Sequence, residues 1–238
     1  MYRHNKILAI ITARGGSKGL LKKNIMPLDE KPLLGWTIEQ AQHCEYIDQI
    51  IVSTDCPEIA GVSEKFGVKV PFMRPAALAT DTATSMDVVE HVLNTLESAG
   101  ESFDYLILLE PTSPLRKKDD LANAIKQLID DGSADGIISM GEVHMEHPMI
   151  VKKISDKNRI CSYIEDVKKI TQRQQADKAY FPYGVIYMVK TSVFRAKKLF
   201  YTDNSIPYLI ERWQNYEIDD IWDFVCIEAI LTKKRSEL

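Results

Sequence analysis

The stretch Ile7-Leu8-Ala9-Ile10-Ile11-Thr12-Ala13-Arg14-Gly15-Gly16-Ser17-Lys18-Gly19-Leu20-Leu21-Lys22-Lys23-Asn24 decides how the rest of the chain is read. Its first five residues are apolar without alternation, the pattern of a central strand covered on both faces. A glycine-rich turn carrying Arg14, Lys18, Lys22 and Lys23 follows at once. Glycines let backbone N–H groups approach a polyphosphate, and the cations neutralise it. A buried strand running into such a loop predicts an anion site at the strand's carboxyl end. The spacing is neither a Walker A sequence nor the dinucleotide fingerprint, so composition alone leaves a solvated basic turn equally open.

Outward from this stretch the chain alternates strands and helices. Leu33 to Cys44 reads as a helix, Gln49 to Ser53 as a second strand, and Pro57 to Gly67 as another helical stretch. A helix beginning at Ser85 or Asp87 places Val88, Val89, Val92, Leu93 and Leu96 at three-and-four spacing, with Gly100 past its end. Tyr105 to Leu109 is a buried strand, Asp119 to Ile129 a helix stopped by Gly132, and Gly136 to Met140 a strand. Repeated βα units of this kind imply a mostly parallel sheet with right-handed crossovers.

Beyond Gly141 the pattern changes. Met149 to Ile154 and Ile160 to Ile164 alternate around the polar turn Ser155 to Arg159, as in a hairpin, so residues 142–178 read as an inserted lobe within one domain spanning 1–238. Val185 to Val189 returns to the buried-strand pattern. The last helix, Asp220 to Leu231, is expected to put Ile221, Phe224, Val225 and Leu231 on an apolar side.

Composition bounds the function. With 238 residues, 45% of them hydrophobic and 27% charged, the chain supports one substantial core. A net charge of -4 gives no global basic field, which argues against nucleic acid as a partner. Cys44, Cys56, Cys161 and Cys226 show no zinc or redox spacing, and no apolar run has the length of a membrane span or signal core, so a cytoplasmic protein is expected. Trp36, Trp213 and Trp222 are read as packing groups, and His144 with His147 as part of a loop.

Four more segments follow predicted strands or precede helices. Ser53-Thr54-Asp55 and the loop Arg74 to Ser85 offer hydroxyls and an arginine, or simply helix caps. Glu110-Pro111-Thr112-Ser113-Pro114-Leu115-Arg116 is a rigid double-proline loop suited to a pocket wall. In Tyr216-Glu217-Ile218-Asp219-Asp220, the alternate residues Glu217 and Asp219 are expected on one side of a short strand, where paired carboxylates would suit Mg²⁺. The same acids are also ordinary helix-capping candidates.

In this order the segments resemble the acylneuraminate cytidylyltransferase family, the CMP-sialic acid synthetases, over essentially the whole chain. The resemblance rests on Ala13-Arg14 with Ser17-Lys18-Gly19 and Lys23-Asn24, Ser53-Thr54-Asp55, Arg74-Pro75, Asp81, Pro111 to Arg116, Arg173-Gln174-Gln175 and Gly184 to Tyr187. It implies a Rossmann-like three-layer α/β nucleotidyltransferase fold, a homodimer joined through the inserted lobe, and Mg²⁺ as cofactor. The implied substrates are CTP and a nine-carbon 2-keto sugar acid, whose anomeric hydroxyl attacks the α-phosphorus as pyrophosphate leaves.

The family's site carries over residue by residue. Ala13, Arg14, Gly16, Ser17, Lys23, Asn24, Arg74, Ala83 and Ser85 would hold the nucleotide, with Arg14, Lys18 and Lys23 stabilising the reacting phosphates. Glu110, Thr112, Ser113, Arg173, Gln174, Gln175, Phe181 and Tyr183 would meet the sugar, and Glu217 with Asp219 the metal. Phe181 and Tyr183 depart from the arginine and asparagine common before the glycine, and Glu110 stands where some relatives carry glutamine. The aromatic wall points toward a diacetamido sugar such as legionaminic acid, with N-acetylneuraminate as the alternative. Ser17-Lys18-Gly19-Leu20 disfavours the eight-carbon acid KDO. The competing class is a nucleotide-binding relative without catalysis.

Overall fold

The computed structural model describes residues 1–16, 19–164 and 177–235. In chain order the elements are β1 (Ile7–Thr12), β2 (Pro27–Leu28), β3 (Lys31–Pro32), α1 (Leu33–His43), β4 (Gln49–Ser53), α2 (Pro57–Lys65), α3 (Ser85–Ser98) and β5 (Tyr105–Leu109). They continue with α4 (Asp120–Asp131), β6 (Gly136–Glu142), β7 (Lys152–Ile154), β8 (Ile160–Ser162), β9 (Tyr180–Lys190), α5 (Thr191–Lys197), β10 (Ser205–Leu209) and α6 (Ile221–Arg235).

Six strands form one sheet in the order β10-β6-β9-β5-β1-β4. β1 pairs in parallel with β4 and β5, β10 in parallel with β6, and β9 runs antiparallel between β5 and β6. The apolar run at the start of β1 is fully buried because helices cover both faces. On one face Ile7, Ala9 and Ile11 pack with α1, α2 and α4; on the other Leu8 and Ile10 meet α3 and Phe194 of α5. This is the expected three-layer architecture, and it leaves the ends of β1 and β5 diverging at one edge of the sheet, where α/β proteins bind ligands.

The expected β-branched and apolar strands stand within a residue or two of their predicted bounds through β6. Three expectations change. The hairpin β7–β8 is shorter than the alternating runs suggested, pairing only Lys152–Ile154 with Ile160–Ser162. β9 begins five residues before Val185 and is antiparallel, so its first half lies at the ligand end of the sheet. In α6 the buried side is Phe224 and Ile227 against Leu28, Leu33, Leu115 and Ile218, whereas Ile221 and Val225 are half exposed and Trp222 is 74% exposed. Trp222 is therefore no packing group within the chain: the helix is apolar on two sides, and periodicity alone does not say which side meets the core.

Candidate functional site

The strand ends enclose a cavity of about 460 Å³ lined by Thr12, Arg14, Gly19, Lys23, Asn24, Arg74, Leu78, Thr80, Asp81, Ala83, Thr84, Ser85, Val88, Glu110, Pro111, Thr112 and Asp219. Its basic side is built by the loop after β1. Gly15 donates its N–H to Asp55 at 2.9 Å, and a Cβ at this position would come within 2.9 Å of the Cys56 Cβ, so only glycine lets the loop lie this close to the end of β4. Buried Asn24 donates to the Arg14 carbonyl at 3.0 Å and fixes the loop from its far end. The Arg14 guanidinium thus reaches across the cavity to Asp81 at 2.9 Å.

Lys23 donates to the Ile218 carbonyl at 2.6 Å and pairs with Asp219 at 3.2 Å. Arg74 lies buried against Ser53, donating to its Oγ at 3.1 Å and its carbonyl at 2.5 Å, and burial lowers its pKa to about 10. A third positive element is the start of α3. Thr84 and Asp87 form a reciprocal capping box there, and Thr84 with Ser85 lines the cavity, so the helix's unpaired N–H groups and dipole face any anion inside.

The acidic side lies where β5, β9 and the segment before α6 meet. Glu217 accepts hydrogen bonds from Ser113 Oγ at 3.1 Å and from the Gly184 N–H. A Cβ on Gly184 would stand 2.5 Å from Glu110 Oε2 and 2.6 Å from Ser113 Oγ, so the absence of a side chain is what lets these groups converge. Burial, and then the nearby Glu217 carboxylate, raises the Glu110 pKa to about 7 against the opposing pull of Arg116. Residues 216–219 are irregular rather than a strand, and Ile218 between the two acids is buried. Their divergence corrects the expected strand: Glu217 turns inward, while the Asp219 side chain is 86% exposed on the cavity rim. Capping of α6 falls to Asp220, which accepts from Trp222 N and Asp223 N at 2.7 and 3.1 Å. Asp219 is left to face the cavity.

Of the expected site residues, the structure brings Arg14, Lys23, Asn24, Arg74, Ala83, Ser85, Glu110, Thr112 and Asp219 to the cavity wall. Ser113 and Glu217 lie just behind it. Ala13 is a core residue with no exposed surface, and Gly16 is exposed outside the lining. Phe181 and Tyr183 form an edge-to-face pair on β9 with centroids 5.0 Å apart, next to Glu217 rather than within the basic cavity. Ser17, Lys18, Arg173, Gln174 and Gln175 lie outside the described residues. Sequence reasoning singled out no role for Arg116, whose guanidinium is buried, or for Gly184; the only sign was their presence in the Pro111–Arg116 and Gly184–Tyr187 motifs.

The donor set fits a divalent cation that borrows oxygens from a substrate. Glu217 and Asp219 offer hard oxygens, and the Glu110 carboxyl, its pKa raised mainly by burial, stands beside them. Among the described residues no three acids, histidines or cysteines form a complete cage. Mg²⁺ commonly completes its shell with phosphate oxygens and water.

The cavity lies at the strand ends, where sheets of this kind take their ligands, and solved structures agree on the fold. The chain is similar to CMP:2-keto-3-deoxy-manno-octonic acid synthetase complexed with CTP, with a TM-score of 0.70 at 16% identity over 96% of this chain and 99% of that one. It is also similar to a 4-diphosphocytidyl-2C-methyl-D-erythritol synthase from Anaerococcus prevotii, with a TM-score of 0.63 at 15% identity over 96% and 99% of the two chains. The cytidylyltransferase family model matches residues 8–235, and the chain belongs to that family.

Its relatives include the N-acylneuraminate cytidylyltransferase of Escherichia coli, 31% identical over 98% of this chain and 54% of that enzyme. The chain thus spans about half the length of that relative. The pseudaminic acid cytidylyltransferase of Campylobacter jejuni is 31% identical over 92% of this chain and 93% of its own length. The CMP-N,N'-diacetyllegionaminic acid synthase of Legionella pneumophila is 29% identical over 98% and 99%.

Proposed function

We propose that the chain is a cytidylyltransferase that joins CMP from CTP to an acidic nine-carbon 2-keto sugar and releases pyrophosphate. The observation that carries this reading is one cavity at the strand ends that gathers Arg14, Lys23 and Arg74 beside Asp81, Glu110 and Asp219, in a chain that aligns over most of its length with enzymes named for such sugars. Arg14 and Lys23 neutralise the triphosphate, the start of α3 and Arg74 hold the nucleoside side, and Asn24 keeps the loop in register. Glu217 and Asp219 would hold Mg²⁺, which would supply positive charge beside the phosphate oxygens. The Pα–Oβ bond breaks as the anomeric oxygen bonds to Pα.

The sugar is read from β9. Phe181 and Tyr183 give an apolar wall where a polar one would suit a glycerol tail, so a diacetamido acid such as legionaminic acid is favoured over N-acetylneuraminate. The protein acts as a cytoplasmic homodimer, a reading supported by the exposed side chains of Met145, Ile154, Ile160 and Tyr163 in the inserted lobe. Pyrophosphate release with CTP and Mg²⁺ across N-acetylneuraminic, legionaminic, pseudaminic and KDO acids tests this, with ATP, GTP and UTP as controls. A CTP-dependent signal strongest with a diacetamido acid is expected. Stronger turnover of N-acetylneuraminate overturns the sugar, and silence from folded protein overturns the reaction.

A further inference from the structure

β9 does not cross the site as a regular strand. It follows β5 only from Tyr187 to Lys190, and its pairing with β6 jumps between Ile138↔Tyr187 and Met140↔Pro182. Two steps along β6 therefore answer to five along β9, and residues 183–186 bulge toward Glu110 and Glu217. Such a bulge takes backbone groups off the ladder, and buried carbonyls and N–H groups need other partners.

Two buried side chains supply them from opposite sides. Ser139 Oγ, on β6, lies within reach of the Tyr183 carbonyl and 3.0 Å from that of Ile186, and it accepts the Ile186 N–H at 2.9 Å. Arg116 donates to the Val185 carbonyl at 2.5 Å and the Gly184 carbonyl at 2.8 Å. Its remaining donors go to the Glu110 carbonyl at 2.9 Å and, at 3.1 Å each, to Thr37 Oγ1 and Gln40 Oε1. A planar guanidinium with all five N–H groups engaged is a rigid brace, and here it ties the end of β5, the bulge of β9 and α1 together. Among the described residues its hydrogen-bond partners are three backbone carbonyls, a hydroxyl and a side-chain amide, so the cation is used to fix neutral oxygens.

The bulge presents the Gly184 N–H to Glu217, the bare Gly184 Cα to Glu110 and Ser113, and the Tyr183 ring to the acidic wall. We infer that Arg116 and Ser139 are positioning residues for the acceptor-sugar half of the site: by bracing the β9 bulge they set Glu217, Glu110 and Tyr183, and bear on the nucleotide only through the metal that Glu217 would help to hold. This rests on the proposed reaction for its kinetic consequence, though not for its geometry.

Ser139→Ala removes one brace at small volume cost, and Arg116→Lys keeps the charge while losing the fork. Both are made in the full chain, with thermal melting to confirm folding. With Mg²⁺ saturating, so that a weakened Glu217 ligand does not limit CTP, the KM of Ser139→Ala for the sugar acid is expected to rise about five- to tenfold, the scale of one lost buried hydrogen bond, with the KM for CTP within about twofold of wild type. Arg116→Lys moves the same way and further. A role in packing alone would lower the melting temperature without changing the ratio of the two KM values.

A second readout needs no turnover. In protein labelled with ¹⁵N-glycine, the Gly184 amide, assigned through Gly184→Ala, is expected to shift and exchange faster in Ser139→Ala, while the glycines of the nucleotide loop stay in place. A folded Ser139→Ala with an unmoved Gly184 amide and an unchanged KM ratio overturns the inference. If the wild-type protein turns over no sugar acid, the proposed reaction fails, and the amide readout alone decides whether the brace exists.

Discussion

At the scale of single residues, the acidic pair divides its labour in a way that alternation along the chain conceals. Glu217 is held by Ser113 and Gly184, whereas Asp219 pairs with Lys23 through its side chain and with its own helix start through its N–H, and that side chain is almost wholly exposed. An exposed carboxylate in a surface ion pair contributes little to stability. Asp219→Ala is therefore expected to melt within a degree or two of wild type while losing on the order of a hundredfold or more in Mg²⁺-dependent turnover. Thermal melting beside the pyrophosphate assay checks it, and retained turnover would remove Asp219 from the metal site. The residue types at the cavity were legible in the sequence because charge and glycine are informative after a buried strand. The brace made by Arg116 was hidden because most of its partners are backbone carbonyls, which every sequence contains.

At the scale of elements, α3 shows where a capping sequence serves two ends. Thr84 and Asp87 close its first turn, and that turn is also part of the cavity wall. Thr84→Ala removes the acceptor for Asp87 N and is expected to cost about 1 kcal/mol of stability, seen as a lower urea midpoint at unchanged slope. Because the loosened first turn lies on the nucleotide side, where its N–H groups must be held in place to meet an anion, the KM for CTP should rise more than that for the sugar. Elements with one buried face and clear stop signals, such as α3 and β5, were readable in advance. The antiparallel course of β9 was not, because a continuous apolar run fits either direction, and direction is set by the lobe that precedes it. The exposed side of α6 was unreadable for the same reason: two apolar faces give no phase.

At the scale of the whole molecule, the sheet leaves the inserted lobe's hairpin outside the core. Ile154 and Ile160 face each other across it and are 74% and 79% exposed, an arrangement costly for a free surface. On the proposed homodimer, the wild type is expected to sediment as a dimer in analytical ultracentrifugation and Ile154→Glu with Ile160→Glu as a folded monomer. An unchanged dimer would place the interface elsewhere, with the Ile221, Trp222 and Val225 side of α6 the next surface to alter.

The hydrogen bond from Lys23 to the Ile218 carbonyl joins positions 195 apart in the chain. Polypeptides emerge from the ribosome amino end first, and early portions begin to fold during synthesis. The loop after β1 is therefore made well before the residue that anchors its lysine. A nascent chain carries this loop, already fixed by Asn24 and Asp55, without the contact that closes the cavity, which forms only once Ile218 and Asp219 clear the exit tunnel.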